Sequence, residues 1–248
     1  MSGIKHSLAR WLRWLGAALL LLVFVVLIQL GNWQVQRLAW KRDLIARVDA
    51  RIHAEPVAAP DRTLWPGIDR DAYEYLRVRL QGRFLHEHEA LTQATTALGA
   101  GYWVLTPLQT EGGALVWINR GFVPPQTREP AQRGIASPEG EVSVTGLLRI
   151  TEPDGGFLRD NAPDADRWHS RDVSALSVSR SLPVDHVAPY FVDQEAATNA
   201  AEGAWPVAGL TVVRFADNHL VYAVTWYCLA LGLVVALWFA WRQTRCRV

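Results

Sequence analysis

Apolar residues are concentrated near the two ends of this chain, and between them they alternate with polar ones. Leu15 to Ile28 is unbroken apolar sequence, and Trp14 and Trp33 stand where an aromatic belt would frame it. Leu220 to Trp241 carries no formal charge and, at a rise of ~1.5 Å per residue, is long enough to cross a hydrocarbon core of about 30 Å. Both segments predict transmembrane helices. The first has the basic start of a signal peptide (Lys5, Arg10, Arg13), but Gln29-Leu30-Gly31-Asn32-Trp33 offers no small-x-small cleavage site, so it reads as a retained anchor.

Past the first span the helical period continues, with Trp33, Trp40, Leu44 and Val48 on one stripe and Arg37 and Arg47 on or beside it. Ala54 to Trp65, with Pro56, Pro60 and Pro66, reads as a linker. The pattern then switches to alternation. Leu76, Val78 and Leu80 against Arg77, Arg79 and Gln81 predict a half-buried strand ending at Gly82. Further strands are expected at Ala90 to Ala94, Tyr102 to Leu108, Ala114 to Asn119, Val142 to Leu148 and Val187 to Val192, with a shorter one at Leu210 to Val213. Glu111-Gly112-Gly113 suits a hairpin connection, and Asp172 to Arg180 a short helix. The expected fold is that of an α+β membrane protein, with two terminal transmembrane helices flanking one mainly β extracytoplasmic domain. The boundaries are residues 1–13 for a cytoplasmic N-terminus, 14–33 for the first span, 34–218 for the domain, 219–241 for the second span and 242–248 for a cytoplasmic tail.

Charge sets the expected orientation. Two spans put both termini on one side, and those termini carry six Lys/Arg (Lys5, Arg10, Arg13, Arg242, Arg245, Arg247) against five near the ends of the loop (Arg37, Lys41, Arg42, Arg47, Arg214). The excess favours cytoplasmic termini and a large loop outside the cytoplasm. A net charge of +1 without an extended basic run makes nucleic acid an unsuitable partner. Cys228 lies in the second span and Cys246 in the tail, and Met1 is the sole methionine. A disulfide framework, a C-x-x-C redox motif and a thiolate or Met-rich copper site are therefore excluded from the domain.

The chain lacks a G-x-S-x-G, an H-E-x-x-H and the glycine motifs of nucleotide sites, so no nucleophile, base or nucleotide cradle supports an enzyme. His86-Glu87-His88-Glu89 is the densest set of ligand residues. On a strand its histidines would share a face as a metal pair, whereas a solvated turn after Phe84 is the plainer alternative. Asp160, Asp164, Asp166 and His169 cluster in sequence, in a composition normal for a loop. Arg120-Gly121 is expected to form a turn or bulge.

The membrane ends carry the remaining chemistry. In a two-helix hairpin, Gly31-Asn32-Trp33-Gln34 and Asp217-Asn218-His219 become neighbours in the outer leaflet. His219, Tyr222 and Trp226 recur at i, i+3 and i+7 and share a helix face. Such a set serves either as interfacial anchors or, with a neutral imidazole facing an aromatic groove, as an axial site for a lipophilic haem. Arg37 and Lys41 would then meet haem propionates or, in the anchor reading, lipid phosphates.

Several segments together carry a resemblance. Leu30-Gly31-Asn32-Trp33-Gln34 with Arg37 and Lys41, Gly101-Tyr102-Trp103-Val104-Leu105-Thr106-Pro107-Leu108, Asn119-Arg120-Gly121-Phe122-Val123-Pro124, Pro189-Tyr190-Phe191-Val192-Asp193 and Asn218-His219-Leu220 through Trp226 occur in order between the two spans. The chain resembles the surfeit locus protein 1 family, assembly factors for haem-copper cytochrome c oxidase, and looks like a member of the bacterial type. The family's Asn-Asn-His, Arg-Gly-Trp and Thr-Trp-Phe-Gly become Asp217-Asn218-His219, Arg120-Gly121-Phe122 and Thr225-Trp226-Tyr227-Cys228. The resemblance implies a multi-pass protein of the inner (plasma) membrane that takes part in maturing the haem-bearing catalytic subunit. It also implies a transient haem a, held by His219 as the iron contact with Tyr222, Trp226, Trp33 and Arg37 around it. Its implied partners are oxidase subunits, the machinery that supplies haem a, and membrane lipid. A scaffold that binds oxidase subunits without haem is the alternative, as is a membrane-anchored binding domain with metal at His86 and His88. For Arg120-Gly121 the resemblance implies, as the alternative to a turn or bulge, a surface loop that docks a subunit.

Overall fold

The computed structural model describes residues 2–134, 138–156, 158–196, 204–211 and 218–245. Within it the chain forms two compact units, Met1–Arg47 with Arg214–Val248, and Val48–Val213.

In chain order, helix α1 spans Ser2–His53, β1 Val57–Ala58, α2 Arg70–Tyr73, β2 Arg77–Phe84, β3 Ala90–Thr96, β4 Gly99–Thr110, β5 Leu115–Val123 and β6 Glu141–Ile150. They are followed by β7 Gly155–Gly156, β8 Arg159–Asp160, α3 Val173–Ser179, β9 Val187–Gln194 and α4 His219–Arg245. The two terminal helices, long and apolar enough to cross a membrane, flank a β-rich domain. Their first unit is an antiparallel pair: Ala17 to Phe24 lines one apolar groove with Leu233 to Leu237, while Gln34 reaches His219.

The buried stripe of α1 keeps Val48 from the expected one, with Leu44 half-buried, but leaves out both tryptophans. Gly31, Gln34, Leu38 and Val48 are buried, and Lys41 and Ile45 half-buried, at alternating steps of three and four. Trp33 and Trp40 are 52% and 50% exposed. Hydropathy weights an indole as strongly as an aliphatic chain, yet its polar edge suits an interface, and a glycine and an amide occupy the inner face instead.

In the second unit, five strands close on themselves in the order β2-β6-β9-β5-β4, and β2 returns to β4 through Phe84↔Leu108. All of these neighbours are antiparallel except β5 and β9, which run parallel. β1 and β3 extend the barrel's sheet beyond β2 and β4. The alternation that predicted the β2 strand holds: Val78, Leu80 and Phe84 point into the barrel with Leu108, Ile118, Leu148, Tyr190 and Val192. The outer faces of β4, β5 and β9 carry a second core, in which Leu105, Trp117 and Phe191 pack with Trp168 and with Leu176 of α3. β5 is thus buried on both faces along its whole length, and its apolar residues run unbroken from Leu115 to Ile118.

α3 forms where a short helix was expected, capped by the Asp172 carboxylate, which accepts from Ala175 N at 3.0 Å. The segment expected to be a linker is part of the barrel. β1 pairs with β2, and the Pro60 carbonyl accepts from Trp65 Nε1 at 3.1 Å and from the buried Tyr190 hydroxyl at 2.9 Å. Leu210 and Thr211 are in no strand, and Val212 and Val213 fall outside the described residues.

A buried ionic network ties the barrel together. Asp193 on β9, 3% exposed, accepts from Asn119 at 2.7 Å, Arg149 at 2.9 Å, Thr211 at 3.0 Å and Arg171 at 3.2 Å. Arg149 also donates to Glu74 at 2.7 Å. Burial works against the Arg149 cation, but the Asp193 and Glu74 carboxylates outweigh it and push its pKa up.

Candidate functional site

The first turn of α4 opens with His219 and closes its first backbone bond from Tyr222 N to Asn218 O at 3.2 Å. The face of α4 turned to α1 carries His219, Ala223, Tyr227 and Ala230, at helical steps of four, four and three. Both alanines are 2% exposed. Small residues let two apolar helices approach closely. At Gly31 the approach is close enough to exclude a side chain, because a Cβ there would stand 2.6 Å from Tyr227 Cε1.

Two hydrogen bonds cross this seam. Tyr227 Oη donates to Asn32 Oδ1 at 2.7 Å. His219 Nδ1 and Gln34 Oε1 are also 2.7 Å apart, and Gln34 is only 9% exposed. A carboxamide oxygen accepts and cannot donate, so Nδ1 carries a proton and donates it to Gln34 Oε1.

The other expected site residues are placed unequally with respect to this seam. Tyr222 is 54% exposed, beside His219's face, and Trp226 is half-buried. Trp33 adjoins Gln34 in sequence but points ~100° away around α1. Arg37 is exposed and lies over the Trp40 ring, 4.6 Å from its centroid. Asp217 and Arg214 fall outside the described residues. The hairpin expectation that residues 31–34 neighbour His219 is met by Gln34. Gln34 and Tyr227 were not singled out as site residues, although an amide three residues from a glycine on a helix is a readable sign of a packed polar seam.

His86-Glu87-His88-Glu89 is a turn, not a strand: His86–His88 is 3₁₀. Its groups bond separately. His86 Nε2 donates to Pro138 O at 2.9 Å, and Glu89 takes both Arg133 guanidinium nitrogens at 2.7 and 2.8 Å. No group of three metal-ligating residues occurs among the described residues. Asp166 lies in a loop as expected. Desolvation works against its charge, but hydrogen bonds from Trp168 and Arg180 hold its carboxyl below the usual range.

The Arg120-Gly121 step is a bulge, since Val104 faces Gly121 and Leu105 faces Asn119, leaving Arg120 unmatched. Gly121 has φ +132°, and a Cβ there would meet Val207 O. Arg120 is buried over the Phe84 ring, and desolvation lowers its pKa against the pull of Glu89.

The sequence profile of the SURF1 family matches residues 21–231, from inside α1 through the barrel to inside α4. The chain belongs to the SURF1 family. Surfeit locus protein 1 of Homo sapiens is 33% identical, over 96% of this chain and 80% of the human protein. The Gallus gallus protein of the same name is 34% identical, over 93% of this chain and 74% of its own length. A SURF1-like protein of Monosiga brevicollis is 32% identical, over 90% and 86% of the two chains. The stretch matched to the SURF1 family includes Gly31, Gln34, His219 and Tyr227, so the polar seam lies within it.

Proposed function

We propose that this SURF1-family protein is a membrane-anchored assembly factor for haem-copper cytochrome c oxidase that holds haem a for the maturing catalytic subunit through His219. In this reading residues 14–33 and 219–241 cross the membrane, residues 1–13 and 242–248 are cytoplasmic, and residues 34–218 face outward, following the excess of Lys/Arg at the termini.

The 2.7 Å contact between His219 Nδ1 and Gln34 Oε1 supports this reading most directly. A histidine that ligates a metal commonly donates its second ring N–H to an oxygen, which fixes the tautomer and the ring plane. Gln34 fills that role. Because it is a neutral amide and not a carboxylate, it orients the imidazole without adding a charge to the site, which suits a carrier that must release its cargo. Tyr222 and Trp226 offer aromatic faces on the side of α4 that carries His219, Trp33 is turned away from Gln34 around α1, and Arg37 offers a cation for propionates. When bound, the haem supplies an iron centre able to accept an imidazole nitrogen. The residues of the protein bind, orient and release it, and act as a holder with no catalytic step.

A scaffold reading draws on the same bonds, which also pin the two helices together. The test is purification of the full-length protein from membranes of cells that make haem a. The wild type should carry a haem a absorption spectrum, and His219→Ala should lose it about tenfold or more. A haem-free wild type, or a spectrum unchanged by His219→Ala, would remove His219 from this role. The scaffold reading expects a haem-free protein whose deletion still lowers oxidase yield.

A further inference from the structure

β3 pairs with β4 along its whole length, but its outer edge is only partly covered. A single parallel bridge joins Thr92 to Trp168, in which Gln93 N donates to Trp168 O at 2.8 Å. Backbone groups alternate sides along a strand, so the Thr95 N–H points away from β4 as the Gln93 N–H does, together with the carbonyls of both residues. Among the described residues no strand or bridge lies along this edge beyond Gln93.

Soluble domains usually blunt such edges with proline, charge or a bulge. The opposite edge of the sheet is blunted: β1 is two residues long, between Pro56 and Pro60. The open stretch Ala94-Thr95-Thr96 has none of these devices, and the adjoining hairpin tip presents Leu98, 51% exposed.

A cavity of about 410 Å³ lies beside this edge, with Gln93, Thr95, Tyr102, Arg159 and His169 on its wall and, among the described residues, no carboxylate lining it. Arg159 Nη1 is 3.4 Å from Gln93 Oε1, and the Arg128 guanidinium sits 5.3 Å from the Tyr102 ring centroid. At the turn between β7 and β8, Leu158 is 87% exposed. Unpaired main-chain donors and acceptors, a cationic groove and exposed leucines fit one kind of partner, an extended polypeptide that is acidic and apolar in turn.

We propose that the outer edge of β3 from Gln93 to Thr95 accepts an extended segment of a client oxidase subunit as an added strand, with an acidic side chain of that segment at Arg159. The identity of the client rests on the assembly role above, whereas the recognition chemistry rests on the edge. The test uses the full-length protein in its own membrane. A photo-crosslinking phenylalanine analogue at Thr95 should capture the oxidase catalytic subunit, and the same analogue at Val57 on the blunted edge should not. Thr95→Pro removes the outward N–H without breaking a bond to β4, and Arg159→Glu reverses the groove's charge. Each should lower oxidase yield about fivefold, the factor expected for one hydrogen bond, while the protein's membrane level and haem content match wild type. Equal crosslinking at Thr95 and Val57, or yields within about twofold of wild type in both variants, would overturn the proposal. Deletion of the whole chain separates the two readings. If oxidase yield survives deletion, the assembly role fails and this client with it. If deletion lowers yield but the edge variants do not, only the docking edge fails.

Discussion

In the β barrel a buried carboxylate, Asp193, is met by four side chains from four parts of the sequence, two of them arginines. In the helical hairpin the polar bonds between α1 and α4 join neutral side chains, the part-buried Gln34 with His219 and the exposed Asn32 with Tyr227. The two arrangements respond differently to loss. Removing one member of a buried ionic network strands a charge in low dielectric, whereas an interhelical hydrogen bond between neutral side chains contributes only ~0.6 kcal/mol on average in a membrane protein. Saturated ionic contacts hold a fold in one arrangement. Neutral ones can be remade at small cost.

The sharpest way to break this comparison is Asp193→Ala. It leaves Arg149 and Arg171 with Glu74 and Glu152 alone and orphans Asn119 Nδ2. The barrel should lose about 3–5 kcal/mol, read as a lower urea midpoint of the full-length protein in detergent. Asp193→Asn keeps the shape without the charge and should fall between the two. A loss below about 1 kcal/mol would mean that the network is no more binding than surface ion pairs.

That network was hidden in the sequence, although much around it was not. Alternation at Val78 and Leu80 located β2, and the charge-free run after His219 located α4, because those signals are local and periodic. Closure of the barrel rests on Phe84 meeting Leu108, a pairing that no local pattern encodes. The strand expected to end at Asn119 runs on to Val123 because the bulge at Arg120 breaks the alternation without ending the strand. Prolines in residues 54–65 suggested a linker, yet the Pro60 carbonyl is a fixed acceptor for Trp65 and Tyr190. At the site, His219 stood out by its residue type. Gln34 did not, since hydropathy discounts an amide inside an apolar helix, and the burial of Gln34 and the close approach of Gly31 to Tyr227 show that its face is inward.

A smaller effect, confined to the hairpin, is expected from Gln34→Leu. The barrel's urea midpoint should stay at the wild-type value, because no residue of the barrel's ionic network changes. The haem a recovered per protein should fall about tenfold, the usual consequence of removing the group that orients a metal-binding histidine. Gln34→Glu keeps an acceptor of the same length and should retain the haem. Full haem content in Gln34→Leu would show that His219 does not depend on its partner, and the contrast between the two units would then lose its functional half.

The smallest effect probes a neutral contact inside the barrel, at Tyr190. Its hydroxyl donates to Pro60 O at 2.9 Å, and burial raises its pKa above the ordinary 10.0. Tyr190→Phe should cost about 1 kcal/mol at neutral pH, since Pro60 O keeps its bond from Trp65 Nε1. The pH dependence has a definite sign. With a raised folded-state pKa, the phenol's contribution is complete below about pH 10 and is lost as pH climbs toward the folded value, because the unfolded chain releases the proton first. Every other titrating group is common to both proteins, so the difference in urea midpoint between wild type and Tyr190→Phe isolates this one. That difference should shrink above about pH 10 and then reverse. A constant difference from neutral to alkaline pH would mean that the phenol titrates alike in both states, and that the barrel does not shield its neutral contacts as it shields its ionic ones.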